Sequence, residues 1–310
     1  MGNNFFKAHY IRVAGMIALL GNAVLAVVKL LLAYLSGSLA VMGDGIDSTS
    51  DVLIAIVTLV ISGIISRPGD REHPWGHARA ETTATMVLSF VIFYAGAQLV
   101  AKSAGQLFHQ DFTREVSVLA ISATIVSIIG KSLLAVLEYH YGTIADSDIV
   151  RANAMNMKND IIMSAAVMLG LVASHFLKCP ILDPIIALLV GLWVIKNAVS
   201  LFTQINTELM DGNTDNALYR KLFDAVMSVE GVDNPHRARI RKMGSFVAID
   251  LDIEVPPDMS VYEAHEKAEQ VEFAVRNSIS DVYDIMVHIE PSGSDSHQPK
   301  EQYGLSPELL

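Results

Sequence analysis

Six long apolar runs constrain the fold of this 310-residue chain more than any other feature. A helix needs about 20 mostly apolar residues to cross a bilayer. The runs therefore predict six membrane-spanning helices, at about 11–35, 39–65, 81–108, 115–140, 149–177 and 182–207. Because 52% of the residues are hydrophobic, the composition also favours a multi-span membrane protein over an ordinary soluble one.

The last third of the chain follows a different pattern. Residues 213–310 hold 18 of the 33 acidic residues and 9 of the 22 basic ones, which indicates a water-exposed domain. From 246 to 255 apolar and polar residues alternate, as is typical of a half-buried strand. The predicted elements are a helix at 217–229, strands at 236–242 and 246–255, a helix at 261–278 and a strand at 283–290. This αββαβ order predicts a ferredoxin-like α+β domain.

These patterns divide the chain into four parts. We expect an N-terminal cytoplasmic segment at 1–10, a six-helix transmembrane domain at 11–212, a cytoplasmic domain at 213–292 and a disordered polar tail at 293–310. The first apolar run is too long for a signal peptide, so we interpret it as a retained span.

Basic residues near the predicted spans indicate the orientation. One side holds Lys7, Arg12, Arg67, Arg71, Arg79 and Arg151, and the other side holds Arg114 and Lys178. Basic residues accumulate on the cytoplasmic side, so both termini are expected in the cytoplasm. Since no organelle signal is evident, a plasma membrane or a bacterial inner membrane is expected.

Two oxygen-donor pairs lie inside apolar runs. Asp47 and Asp51 are four residues apart in the second run, and Asn156 and Asp160 in the fifth, so each pair shares a helix face. Carboxylates at membrane depth usually mark an ion or proton pathway. Three of them cannot all stay charged without a cation, so a divalent metal and protons would compete for the site. The alternative, polar contact between helices or helix capping, stays open for Asn156. Asp44 could lie behind the ligands, at the mouth of the pore or at a helix cap, or it could bind the metal directly.

Other polar residues have simpler interpretations. Asp183 followed by Pro184 predicts the start of the sixth helix. Four residues of the apolar runs are interpreted as snorkelling or helix-contact residues, namely Asn22, Lys29, Lys131 and Lys196. The single cysteine, Cys179, excludes an internal disulfide framework and a cysteine-rich zinc site. A net charge of −11 argues against nucleic acid as a partner.

Four sequence motifs together resemble one family. They are Asp44-Gly-Ile-Asp47-Ser-Thr-Ser-Asp51, His73-Pro-Trp-Gly-His77-Ala-Arg-Ala-Glu81, Asn156 to Asp160, and Leu209-Met210-Asp211. Over about residues 10–291 the chain resembles the cation diffusion facilitators. The resemblance implies a homodimeric secondary transporter, not an enzyme, that exports divalent metal in exchange for protons by alternating access and needs no organic cofactor. It implies a transport site of Asp47, Asp51, Asn156 and Asp160.

The resemblance also implies sites outside the membrane. A loop metal site would use Asp70, His73 and His77, although these histidines could simply flank a structural turn. A charge interlock would join Arg79 and Asp211. The cytoplasmic domain would pair with its copy and bind regulatory metal through His236, Asp250, His265, His288 and Glu290. The alternative is that these five are surface residues of an acidic domain.

Asn156 bears on the identity of the metal. Zinc-type members of the family often carry histidine at this position, whereas an all-oxygen site suits harder ions. We therefore expect Mn²⁺, with Fe²⁺ or Zn²⁺ as the next candidates.

Two other functions remain as alternatives. One is a non-transporting, metal-sensing scaffold of the same fold. The other is an intramembrane aspartyl protease, which the sequence disfavours because Val41-Met42-Gly43 precedes Asp44 where such enzymes carry GxGD.

Overall fold

Six long helices precede a small α+β domain in this computed structural model, which describes residues 2–65, 69–109, 117–145, 148–243, 246–293 and 304–309. The long helices are α1 Gly2–Ser36, α2 Leu39–Ile65, α3 Arg79–His109, α4 Val118–Ala145, α5 Asp148–Leu177 and α6 Leu182–Leu209. Two of the basic residues that indicate the orientation, Arg67 and Arg114, lie outside the described residues.

Among the described residues, five of these helices are long and apolar enough to cross a membrane. The candidate spans are Val13–Ser36, Arg79–His109, Val118–Ile144, Asn153–Leu177 and Leu182–Leu209. Helix α2 is not in this set; it has 27 residues and carries Asp44, Asp47 and Asp51. At about 1.5 Å per residue its length exceeds the roughly 30 Å hydrocarbon layer. The helical membrane domain is thus confirmed with five spans, and α2 as the sixth stays a prediction.

Reciprocal close contacts join α1 and α4. A Cβ added at Gly21 would lie 2.4 Å from Leu134 Cδ2, and one added at Gly130 would lie 2.5 Å from Leu25 Cδ2. Small residues of this kind let membrane helices approach closely. Lys131, the residue that follows Gly130 on α4, is itself buried, with 1% of its surface exposed.

The second compact unit consists of Ile61–Thr83 and Thr203–Leu310. It contains α7 Asn216–Met227, β1 Asp233–Met243, β2 Phe246–Val255, α8 Val261–Ser278 and β3 Val282–Pro291. The sheet order is β1-β2-β3, with β1 antiparallel and β3 parallel to β2. Apolar residues of both helices and all three strands form one core, which confirms the predicted αββαβ domain. Gly244 and Ser245, which join β1 to β2 in the sequence, lie outside the described residues.

Part of the predicted disordered tail is ordered. Leu305 and Ala238 of β1 exchange two backbone hydrogen bonds of 2.9 Å, and Pro307–Leu309 form a 3₁₀ turn. Gly304 has a φ of +78°, and a Cβ there would meet Arg237 backbone atoms at 2.5 Å. The structure therefore differs from the expectation of disorder at 304–309, because these residues satisfy backbone groups at the edge of the sheet.

Asp183 caps a helix other than the one predicted. Its carboxylate accepts hydrogen bonds from the backbone N–H groups of Leu39, at 2.9 Å, and Ala40, and from the Ser38 hydroxyl. These groups begin α2, so one buried side chain of α6 satisfies the first turn of the helix that carries the acidic motif.

Replacing Asp183 by alanine should destabilise the helical unit. The change leaves buried N–H groups of α2 without their acceptor, at a cost of about 2 kcal/mol. The expected result is a thermal midpoint several degrees lower in detergent. Asp183→Asn keeps one acceptor oxygen and should lose less, so equal midpoints for the two variants would contradict this role.

Candidate metal centres

Three carboxylates of α2 and α5 come together in the helical unit. Oxygen atoms of Asp47, Asp51 and Asp160 all lie within 4.8 Å of one another. Asp47 and Asp51 are one helical turn apart on α2, and Asp160 faces them from α5. The side chains are partly exposed, 43% for Asp51 and 23% for Asp160, so a cation can approach them from outside the helical packing. Carboxylate oxygens in this number and spacing suit a hard divalent cation.

A buried lysine contacts two of these carboxylates. Lys131 Nζ of α4 lies 2.6 Å from Asp160 Oδ2 and 3.2 Å from Asp51 Oδ2. Its side chain is only 1% exposed. Of the two predicted roles, helix contact is confirmed, because the Lys131 ammonium of α4 pairs with carboxylates of α2 and α5, and snorkelling was wrong.

Asp44 belongs to a separate buried group. Its Oδ2 lies 3.1 Å from Lys29 Nζ, and its Oδ1 accepts a hydrogen bond of 2.8 Å from Ser164 Oγ. Lys29 also donates to Ser48 Oγ at 2.7 Å. Asp44 is therefore paired with Lys29 and Ser164 and is not grouped with the three clustered carboxylates, and a role behind the ligands stays a prediction. These contacts also show that Lys29 pairs with Asp44 inside the helical unit and does not snorkel.

Asn156 occupies the position that the sequence predicts, one turn before Asp160 on α5. The Asn156 side chain is exposed, and the Asp51 side chain of the cluster is 43% exposed. The participation of Asn156 as a fourth oxygen donor stays a prediction.

The loop before α3 forms a second cluster. Asp70, His73 and His77 offer ligand atoms within 4.8 Å of one another, and the two imidazole rings are 4.6 Å apart. The segment is a turn and not a helix, so the chain reversal at Pro74-Trp75-Gly76 brings the histidines together. A structural turn and a metal site are thus compatible here.

Backbone groups of this turn fix the charge of Asp70. Its Oδ1 accepts hydrogen bonds from the N–H groups of His73, at 2.7 Å, and Glu72, at 2.9 Å. These bonds hold the pKa of the Asp70 carboxyl below its ordinary value. Asp70 therefore stays ionised and available to a metal at neutral pH.

A third cluster lies on the sheet of the α+β domain. His236 of β1, Asp252 of β2 and Glu290 of β3 have ligand atoms within 4.8 Å of one another. The sequence predicted His236 and Glu290 but missed Asp252. His236 faces Asp252 because β1 carries bulges on both sides of His236. Each bulge inserts a residue and shifts the register, which the alternation of apolar residues does not reveal.

The other predicted ligands of this domain lie outside that cluster. Asp250 faces Arg239 across the strand pair and lies 3.9 Å from Arg241. His265 is exposed on α8, 3.5 Å from Glu269. His288 is also exposed, yet its Nε2 lies 3.3 Å from Glu290 Oε1, at the edge of the cluster. In a single chain the structure thus assembles part of the predicted set.

The predicted charge pair is present in the second unit. Arg79 Nη2 donates to Asp211 Oδ1, and one turn further into α3 the Thr82 hydroxyl donates to Glu208 Oε1 at 2.7 Å. Together these bonds connect the start of α3 to the end of α6. Both members of the Arg79–Asp211 pair are about half exposed, so the pair itself adds little stability.

Comparison with known proteins matches both parts of the chain. Residues 15–210 match the cation efflux transmembrane domain, and residues 214–292 match the cytoplasmic domain of cation efflux proteins. Metal tolerance protein 2 of Oryza sativa subsp. japonica is 30% identical over 93% of this chain and 79% of its own length. The manganese efflux system protein MneS of Bacillus subtilis is 27% identical over 89% of this chain and 94% of its own.

Among solved structures, the metal-bound C-terminal domain of the CzcD transporter from Thermotoga maritima is 35% identical and covers 27% of this chain and 96% of its own, with a TM-score of 0.26. The match to the transmembrane family covers more than half of the chain and includes the acidic cluster of α2 and α5. The chain therefore belongs to the cation diffusion facilitator family, as a divalent metal efflux transporter of the membrane.

Proposed function

We propose that this protein exports Mn²⁺ from the cytoplasm in exchange for protons, at a site formed by Asp47, Asp51, Asn156 and Asp160. The observation that carries the proposal is the cluster of three carboxylates from α2 and α5, whose oxygens lie within 4.8 Å of one another. A cluster of this kind is costly at membrane depth unless a cation or protons neutralise it.

The donor set favours manganese. All three clustered side chains offer oxygen, and Asn156 adds a neutral oxygen where zinc-type relatives often carry an imidazole. Oxygen donors suit Mn²⁺, whereas imidazole suits Zn²⁺ well. The likeness to MneS, which is named a manganese efflux protein, supports the same metal. Fe²⁺ and then Zn²⁺ are the next candidates.

Exchange for protons follows from the charge of the site. Once metal leaves, the crowded carboxylates repel one another, and proton binding relieves this repulsion. A divalent ion arriving from the other side displaces those protons. Metal and protons thus occupy the same oxygens in turn as the site opens to one face and then the other.

The family assignment supports the rest of the arrangement. We expect a homodimer whose C-terminal domains pair in the cytoplasm, with both termini on that side. In this arrangement the cluster of Asp70, His73 and His77 and the sheet cluster of His236, Asp252 and Glu290 both lie in the cytoplasm, from which the metal is exported. Metal bound to the sheet cluster would stabilise the paired domains and favour the transporting state.

Replacing either Asp51 or Asp160 by alanine should abolish transport. Each change removes a ligand oxygen and a proton acceptor, so proton-driven Mn²⁺ uptake into proteoliposomes should fall to the level of empty vesicles. The control is Asp224→Ala, which removes an exposed carboxylate of α7 and should transport normally. Full transport by either site variant contradicts the assigned site, and the absence of flux in the wild type favours a scaffold.

Replacing Asn156 by histidine should shift metal preference. An imidazole adds a donor that zinc prefers, so the ratio of Zn²⁺ to Mn²⁺ flux should rise on the order of tenfold, equivalent to about 1.4 kcal/mol. Both fluxes are measured with the same proteoliposomes. An unchanged ratio would remove Asn156 from metal selection, and strong Zn²⁺ flux in the wild type would refute the preference for manganese.

Asp252 and Asp250 provide a matched pair in the α+β domain. They are two residues apart on β2, but only Asp252 belongs to the cluster with His236 and Glu290. Asp252→Ala should reduce metal-dependent thermal stabilisation of the full protein, whereas Asp250→Ala should retain most of it. If Asp250→Ala causes the larger loss, the ligand set of this sheet is the one first predicted from sequence.

A further inference from the structure

Lys131 lies where a transported metal would bind. Its ammonium is 2.6 Å from Asp160 Oδ2 and 3.2 Å from Asp51 Oδ2. A divalent ion bound by oxygen ligands needs those oxygens at roughly 2.0–2.6 Å. Both contacts of Lys131 are with Oδ2 atoms, so a metal that binds these two oxygens has to displace the ammonium from them.

Lys131 is more deeply buried than the two carboxylates that it contacts. Lys131 is 1% exposed and enters from α4, beneath carboxylates that are 43% and 23% exposed. The contact of Gly130 with Leu25 sets this part of α4 against α1. Helix packing thus fixes the backbone of Lys131 in the interior of the helical unit. Its flexible side chain carries the ammonium to the carboxylates of Asp51 and Asp160.

We infer that Lys131 is a tethered cation that occupies the transport site of the metal-free protein and is displaced by the incoming metal. The inference rests on the proposed transport function and identifies a residue that sets metal affinity within it. The ammonium keeps the carboxylates compensated when metal is absent. It also lowers metal affinity, because metal must first break two charged hydrogen bonds.

This competition has a consequence for turnover. A transporter must release its ion on the far side, and an uncompensated three-carboxylate site would hold a divalent cation tightly. Return of the ammonium to Asp51 and Asp160 assists release. Lys131 therefore lowers the affinity for metal and raises the rate of metal release. Its removal should tighten metal binding and slow transport.

The test compares Lys131→Met with Lys29→Met in the full-length protein in detergent at neutral pH. Both lysines are 1% exposed and paired with aspartate, but Lys29 contacts Asp44 and Ser48, whereas Lys131 contacts the clustered carboxylates. Binding of Mn²⁺, and of Zn²⁺ in parallel, is measured by equilibrium dialysis. The transport site is defined as the binding that Asp160→Ala removes, which separates it from the other two clusters.

We expect Lys131→Met to lower the Kd for metal at this site at least tenfold and to slow flux, while Lys29→Met changes the Kd less than threefold. Lys131→Met should also unfold at a lower temperature without metal and gain more from added metal. Lys131→Gln is measured alongside, so that misfolding of one variant leaves the comparison intact.

An unchanged or weaker affinity in folded Lys131 variants would overturn the inference and make Lys131 a structural ion-pair partner. Equal tightening in Lys29→Met would overturn it too, since a general field effect would then suffice. If wild-type protein shows no binding that depends on Asp160, the proposed transport site itself fails, which is a separate result.

Discussion

Crowded carboxylates in a membrane domain need positive charge, and the contact of Lys131 with Asp51 and Asp160 provides it in the absence of metal. The same requirement appears at a second buried pair, where Lys29 compensates Asp44. These two pairs determine which helices must meet. Helix α4 carries one lysine, α1 carries the other, and the acidic residues come from α2 and α5.

The local packing supports that arrangement. The Asp183 carboxylate completes the first turn of α2, the helix on which Asp47 and Asp51 lie. Reciprocal contacts of Gly21 and Gly130 let α1 and α4 approach closely, and Lys29 and Lys131 of these helices are buried. The proposed metal site therefore depends on contacts from helices that contribute no ligand. Substitutions at such positions are expected to affect transport through the geometry of the carboxylates.

Much of this architecture could be predicted from sequence, because periodicity and apolar length report directly on local structure. The αββαβ domain and the positions of the long helices follow from such patterns. The acidic pairs were also visible, since residues four apart share a helix face. The partners of Lys29 and Lys131 were not, because a lysine in an apolar run has the same local signal whether it snorkels or pairs. The sequence did hold one hint. Buried aspartates need positive partners, and the apolar runs contain few arginines or lysines that could supply them.

The sheet cluster shows the same limit. Asp250 and Asp252 have the same residue type and point to the same side of β2, so sequence alone does not distinguish them. The bulges of β1 decide which of them meets His236. Bulges depend on pairing between strands, and a single strand does not encode that pairing. The structure therefore replaces Asp250 by Asp252 in the predicted cluster. The cluster still consists of histidine and carboxylate side chains.

Proton counterflow during metal uptake distinguishes metal–proton exchange from metal entry alone. Proteoliposomes with a pH-sensitive dye inside receive external Mn²⁺ without an imposed pH gradient, and the internal pH and metal content are followed together. The account predicts that Mn²⁺ entry drives protons out, so the interior becomes alkaline in proportion to the metal taken up. Mn²⁺ entry with no change in internal pH would contradict proton exchange at the carboxylate cluster.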